Sequence, residues 1–233
     1  MKTGITFLVL ALLTPFIYAQ RSIEKSLDYK DQHIEFDLKF AENITLKVWD
    51  KPMVEIKGSI TTLDNKYLDL YKLEVDESSS ILKITANPEA IFKKFNEDRE
   101  REKNNFYLND YKYKAQYTVY VPRKATLKIS SINGSLQADV VDGEFNADLI
   151  NGSILIKKYS GNLNLSTING EIDLQMSNTR LTAETLQGQI YADEKLALNS
   201  IDKVIGQHVE GSFDQATNSL SLKTINGNIY LRK

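Results

Sequence analysis

The chain has 233 residues, with 29 basic and 31 acidic side chains for a net charge of −2, and no cysteine. That balance offers no concentrated basic footprint for nucleic acid, and the lack of cysteine excludes disulfides, Cys-liganded zinc and thiol catalysis. The length is sufficient for one sizeable domain with its own core.

Residues 1–19 carry a lone Lys2, the apolar run Ile5–Leu13, Pro15 and a small residue at Ala19. This is the pattern of a secretory signal peptide, and the apolar run is too short to span a bilayer comfortably. Cleavage near Ala19 removes only one charged residue, Lys2, and leaves a net charge of −3. The expected address is extracytoplasmic (periplasm, cell surface or secreted), with no transmembrane segment in the mature chain.

Residues 20–131 read as an N-terminal β region. Ile34, Phe36, Leu38 and Phe40 alternate with Glu35, Asp37 and Lys39, and Ile44, Leu46 and Val48 repeat the pattern. Such period-2 alternation marks half-buried strands. Val54, Ile56 and Ile60 predict a third strand, and Leu68–Val75 and Ile81–Ile84 two more. The spacing suits an antiparallel sheet that caps or precedes a repeat region. The segment 88–105 interrupts it as a short helical insertion. Asn87 can cap a helix with Pro88 in its first turn, and Glu97–Lys103 is charged on every side. Tyr111, Tyr113, Ala115, Tyr117, Val119 and Val121 then share one parity of a strand, with their rings toward the core.

From residue 132 to 233 one phrase recurs. Ile132-Asn133-Gly134, Ile150-Asn151-Gly152 and Ile168-Asn169-Gly170 alternate with Val141-Asp142-Gly143 and Tyr159-Ser160-Gly161. Leu186-Gln187-Gly188 continues the series, and Ile225-Asn226-Gly227 repeats it off the count. A two-residue Asn-Gly hairpin would set Ile132 opposite Ser135 and bury opposite faces of its two arms, so the hairpin reading fails. A continuous extended path, stacked every eighteen residues, gives inward columns Ile132/Ile150/Ile168/Leu186, Leu136/Ile154/Ile172/Ile190 and Phe145/Leu163/Leu181. It also aligns Asn133, Asn151, Asn169 and Gln187 as an amide ladder. The predicted fold is all-β: a β-solenoid of 18-residue turns, each of two 9-residue halves, preceded by an antiparallel β region with one short charged helical insertion. It forms one continuous domain with residues 20–131, and Leu220–Leu231 is expected to close the stack as a final strand pair.

The Tyr117-Thr118-Val119-Tyr120-Val121-Pro122 phrase leads through Leu127-Lys128-Ile129-Ser130-Ser131 into these repeats. In this the chain resembles the bacterial "putative adhesin" family, extracytoplasmic β-solenoid domains related to the head GIN domains common in Bacteroidetes. The resemblance runs from Ile34 to the C-terminus, with 88–105 as a local departure. It implies surface adhesion and supplies no catalytic residues.

The residues themselves offer no catalytic constellation either. His33 and His208 lack metal-ligand spacing, and there is no nucleophile elbow, phosphate-binding loop or calcium nonapeptide. The outward column Asp148/Ser166/Glu184 would hold two carboxylates two rungs apart, about 9.6 Å, at the far edge of an inverting glycosidase pair. The expected function is a non-catalytic adhesin or envelope scaffold that meets a surface glycan or protein, without cofactor, metal or nucleic acid. A carbohydrate-active β-helix enzyme and an envelope signalling accessory, with 88–105 as its contact, are the alternatives. The residues assigned to the repeat are Asn133, Gly134, Gly143, Asn151, Gly152, Gly161, Asn169, Gly170, Gly188 and Gly227.

Overall fold

A computed structural model describes residues 20–102, 112–196, 198–202, 206–213, 216 and 218–233. The proposed signal peptide and Tyr111 lie outside them. The N-terminal part contains β1 (Arg21–Asp28), β2 (His33–Asp37), β3 (Asn43–Trp49), β4 (Met53–Thr61), β5 (Lys72–Glu77) and β6 (Ile81–Asn87). Helix α1 (Glu89–Glu102) leads to β7 (Lys114–Pro122). Then follow β8 (Ala125–Asn133), β9 (Ser135–Ala138), β10 (Val141–Asn151), β11 (Ile154–Ile156) and β12 (Tyr159–Ser160). Next come β13 (Leu163–Asn169), β14 (Ile172–Gln175), β15 (Thr179–Thr185) and β16 (Ile190–Ala192). The last strands are β17 (Asn199–Asp202), β18 (Gln207–Ser212), β19 (Asn218–Asn226) and β20 (Ile229–Arg232).

These strands form two mixed sheets. Sheet I has the order β1-β4-β7-β3-β9-β11-β14-β20-β16. Sheet II has the order β17-β18-β15-β19-β13-β10-β8-β2-β6-β5, with β12 beside β10. Across both sheets, the molecule is a pile of rungs, each with one strand in sheet II and the next in sheet I. In spatial order the rungs are β6/β7, β2/β3, β8/β9, β10/β11, β13/β14, β19/β20 and β15/β16. All are joined to their neighbours by parallel pairs.

The core lies between the sheets and is built from columns. Leu82, Ile34, Leu127, Phe145, Leu163, Leu220 and Leu181 are opposite one another in turn along sheet II, and all are buried. Ile44, Leu136, Ile154, Ile172 and Ile229 do the same along sheet I. Because strand side chains alternate, each rung contributes its inward half to this seam and its outward half to solvent.

The order of the rungs departs from the order of the chain twice. An offset of eighteen residues relates Leu127, Phe145 and Leu163, and likewise Leu136, Ile154 and Ile172. The next neighbour of Leu163 is Leu220, and Leu181 comes beyond it. The predicted column Phe145/Leu163/Leu181 is thus parted by the C-terminal strand, and Ile172/Ile190 is parted by Ile229 in the same way. β19 and β20 do not close the stack; they lie inside it. At the other end β2/β3 sits between β6/β7 and β8/β9, so this region is not the simple antiparallel sheet expected. Among the described residues, antiparallel pairing is confined to the ends, where β4 and β1 cover β7, β5 covers β6, and β18 and β17 cover β15. Leu68–Leu70, expected in a strand, forms a short 3-10 turn instead.

A second correction concerns parity. Ile150, Ile168 and Leu186, expected inward, are 40%, 39% and 46% exposed. Ser131, Leu149, Thr167 and Thr185 are the last inward residues of their strands, so the residue after each points out. Parity resets across the Asn-Gly corner, where the path crosses from sheet II to sheet I, rather than only before the next phrase. Glycine is required there. A Cβ on Gly152 would lie 2.1 Å from the carbonyl oxygen of Gly134 in the rung below. The intermediate corners add backbone freedom to the same crowding: Gly143 has φ +125, and a Cβ on Gly161 would lie 2.0 Å from the Gly143 carbonyl oxygen.

Helix α1 occupies this crossover in the first rung. Asn87 Oδ1 accepts the amide of Glu89 at 3.1 Å, as a cap should. Ile91 and Phe95 are buried, and Phe92 sits edge-on to Phe40 and Tyr113, at 5.0 and 5.1 Å. The helix also holds Asp98 against the Tyr67 hydroxyl, which donates to it.

Tyr117 is buried beside Tyr71, their hydroxyls 2.9 Å apart. Burial pushes Tyr71 up to about 12 and raises Tyr113 and Tyr117 as well. Above pH 10 the unfolded chain loses these phenolic protons while the folded one keeps them, so stability falls as pH rises. Each tyrosine contributes a slope of about 1.4 kcal/mol per pH unit up to its folded pKa. Urea unfolding between pH 9 and 12 should show this decline, and Tyr117→Phe should make it shallower. Gly152→Ala should cost about 3 kcal/mol or more, because a backbone oxygen cannot step aside as a side-chain tip can. A urea midpoint within experimental error of the parent would refute that account of the corner.

Candidate interaction surface

The corner residues singled out by the repeat are brought together along one edge. Gly134, Gly152, Gly170, Gly227 and Gly188 succeed one another, each lacking the Cβ that would strike the glycine carbonyl of the rung before, or for Gly134 the carbonyl of Ala41. Gly143 and Gly161 face each other at the opposite corner. Beside the first column runs the amide ladder. Asn151 Nδ2 donates to Asn133 Oδ1 at 2.9 Å, Asn169 Nδ2 to Asn151 Oδ1 at 2.8 Å, and Asn226 Nδ2 to Asn169 Oδ1 at 2.7 Å. Asn226 takes the fourth place predicted for Gln187, because β19 is the strand next to β13.

Inside the same corner, threonine hydroxyls satisfy buried backbone groups. Thr167 donates to the Gly152 carbonyl at 2.8 Å, Thr224 to Gly170 at 3.0 Å and Thr185 to Gly227 at 2.8 Å. A buried hydroxyl without a partner is costly, and here each is satisfied by the neighbouring rung. Outside, Ile132, Ile150, Ile168, Ile225 and Leu186 follow at rung spacing and form an apolar ridge about 19 Å long.

The outer face of sheet I carries aromatic residues to which the sequence pattern assigned no role. Tyr191 in β16 lies opposite Tyr230 in β20, with ring centroids 5.3 Å apart and planes 10° from parallel. The Tyr230 hydroxyl donates to Glu171 Oε1 at 3.2 Å and receives Asn228 Nδ2 at 3.1 Å. Arg232 grips both oxygens of Asp173 at 2.6 Å, its guanidinium carbon 5.4 Å from the Tyr230 ring centre. Nearer the other end, Trp49 packs on Tyr120 at 4.9 Å, with Lys51 over Trp49 and Lys47 over Tyr120. A signal for the tyrosine pair is present in the sequence: Gly188-Gln189-Ile190-Tyr191 and Gly227-Asn228-Ile229-Tyr230 are the same phrase.

No grouping of three or more possible metal ligands occurs among the described residues. His33 approaches Glu35 at 3.6 Å and His208 meets Glu210 at 2.8 Å, in different parts of sheet II. The carboxylate pair considered for glycoside chemistry is separated by the inserted strand. Asp148 is followed by Ser166, Lys223 and then Glu184, so the two acids stand three rungs apart, about 14 Å. Asp148 is engaged by Ser166 at 2.8 Å and by Lys128 at 3.4 Å. That spacing is beyond an inverting pair, and a lysine intervenes.

Asn151→Ala should remove two links of the amide ladder at an exposed site, for a cost of about 1–2 kcal/mol by urea unfolding. Asn151→Asp at pH 7 should cost more than at pH 4, where the protonated carboxyl can again donate to Asn133. Equal cost at both pH values would show that the amide proton is not what the ladder uses.

No family model matches the sequence, and no curated protein matches it. A solved structure described as a putative cell adhesion protein, from Clostridium sporogenes, superimposes over 92% of this chain and 99% of its own, with a TM-score of 0.51 and 12% identity. One described as a putative adhesin, from Bacteroides fragilis, covers 91% and 97% with a TM-score of 0.35 and 12% identity. One described as a putative lipid binding protein, from Parabacteroides distasonis, covers 91% and 97% with a TM-score of 0.34 and 13% identity. At such identity the first likeness is one of fold. The chain therefore has the fold of a protein described as a putative cell adhesion protein, in line with the adhesin resemblance carried by its Ile-Asn-Gly phrases.

Proposed function

We propose that this is a non-catalytic, extracytoplasmic interaction module, adhesin-like in use, that holds a cell-surface or envelope component, glycan or protein. Its architecture is read as a β-solenoid of turns built from two nine-residue halves, with two of its rungs entered out of chain order. The observation that carries the reading is the outer surface itself. Side chains stand in register on a hydrogen-bonded stack, and among them are exposed groups that no folding requirement explains: Tyr191 at 50% exposure and the isoleucine ridge. A rigid scaffold that presents ordered polar and aromatic rows loses little freedom when it binds, which is how an extended surface gains affinity. The leader-like residues 1–19 support an extracytoplasmic address. Separation of Asp148 from Glu184 by Lys223 disfavours the carbohydrate-active enzyme.

The mature chain should bind at least one of three immobilised targets: a glycan array, isolated envelope fractions, or host matrix proteins. It should release neither reducing ends nor unsaturated sugars from neutral or acidic polysaccharides. Failure to bind any target would remove the adhesin-like role, and product release would replace it with catalysis.

A further inference from the structure

We propose that the free end of sheet I is a saccharide-binding platform on which Tyr191 stacks a neutral pyranose. This rests on the interaction-module reading and names its ligand class.

Tyr191 and Tyr230 are register partners in parallel strands, so their stacked, nearly parallel rings have faces directed along the stack. One face of Tyr191 is covered by Tyr230. β16 is the last strand of sheet I among the described residues, so the other face looks outward, consistent with the ring's half exposure. An aromatic face is apolar and carries the negative side of the ring quadrupole. A pyranose has a complementary surface: a patch of weakly positive C–H groups fringed by hydroxyls.

The hydroxyls also find partners. On the flank of the pair, Tyr191 and Tyr230 together border a depression of about 510 Å³ that also includes Asp193, Glu194, Lys195 and Lys233. Two carboxylates and two ammonium groups supply acceptors and donors whose charges cancel. The remaining cation, Arg232, is already engaged by both oxygens of Asp173. A site with its cations offset in this way favours an uncharged sugar over an acidic one.

Two further observations separate a ligand from a packing role. The Tyr191 hydroxyl is occupied by Gln189 Oε1, so the free face of the ring, rather than its polar tip, is what remains to be used. The outward amide of Ile190 is capped by Gln207 Oε1 at 2.7 Å, which removes part of the hydrogen-bonding row that an added strand from a second copy would need.

Electrophoresis of the mature chain through gels containing laminarin, dextran, mannan, galactomannan or xylan tests the platform. At least one of these should retard the parent. Tyr191→Ala should weaken that interaction about tenfold or more, and Tyr191→Phe, which keeps the stacking face, should stay within about twofold. Circular dichroism melting shows whether each variant keeps the fold. The platform is refuted if no neutral polysaccharide retards the parent, or if a folded Tyr191→Ala is retarded equally. Retardation only by alginate or heparin would also refute it. A parent that dimerises in sedimentation equilibrium through Tyr191, without retardation, would assign the ring to contact between copies. Binding to an envelope or matrix target that is indifferent to Tyr191 would leave the broader function standing and refute this site alone.

Discussion

Everything in the molecule depends on how closely one rung's backbone can approach the next at the Asn-Gly crossover. Parallel strands are about 4.8 Å apart, but a crossover between two sheets must turn while keeping that spacing. Gly134, Gly152, Gly170, Gly227 and Gly188 solve this by leaving the space a Cβ would need to the carbonyl of the neighbouring rung. The crowding brings the rest into place. Threonine hydroxyls reach the glycine carbonyls from inside, and asparagine amides join hand to hand outside. One steric condition thus sets the register of both sheets.

The same condition distributes the surface. Because parity resets at the crossover, Ile150 and Ile168 are turned outward, while columns such as Leu127, Phe145, Leu163, Leu220 and Leu181 fill the core. Both outer faces inherit the rung spacing, and their ion pairs, such as Lys157 with Asp139 at 2.7 Å, are exposed and contribute little to stability. Apart from the amide ladder, the polar exterior therefore contributes little to holding the stack together.

Much of this was legible from residue patterns. Alternation at Ile34–Asp37 and Ile44–Val48 marks real strands, though Leu38–Phe40 lies beyond the first; Asn87-Pro88 marks the start of the helix, and side-chain parity rejects Asn-Gly hairpins. The order of rungs was not read, because a hydrophobic period says what stacks but not which equivalent segment stacks next. Leu181 and Leu220 satisfy the same column equally well. A clue lay in the longer similarity of residues 163–174, LNLSTINGEIDL, to residues 220–231, LSLKTINGNIYL, and these segments are neighbours in space. The outward turn of Ile150 and Ile168 is not legible for a different reason: the Asn-Gly corner breaks the extended alternation that a strand pattern assumes. The exposure of Tyr191 is not legible either, because it arises where a sheet ends, and strand order determines that.

The displaced rungs also bear on the time course of folding. β15/β16 rests on β19/β20, which is made from the last residues of the chain, and β2/β3 has its place only once β6/β7 and β8/β9 exist. A chain that emerges N-terminus first cannot therefore zip itself up rung by rung. Its early strands wait for partners made later, and its penultimate rung waits for the C-terminus. Contacts that close such long loops form slowly and leave strand edges open in the interval. The segment β19/β20 acts as a keystone: once it is seated, β13/β14 and β15/β16 gain their shared neighbour.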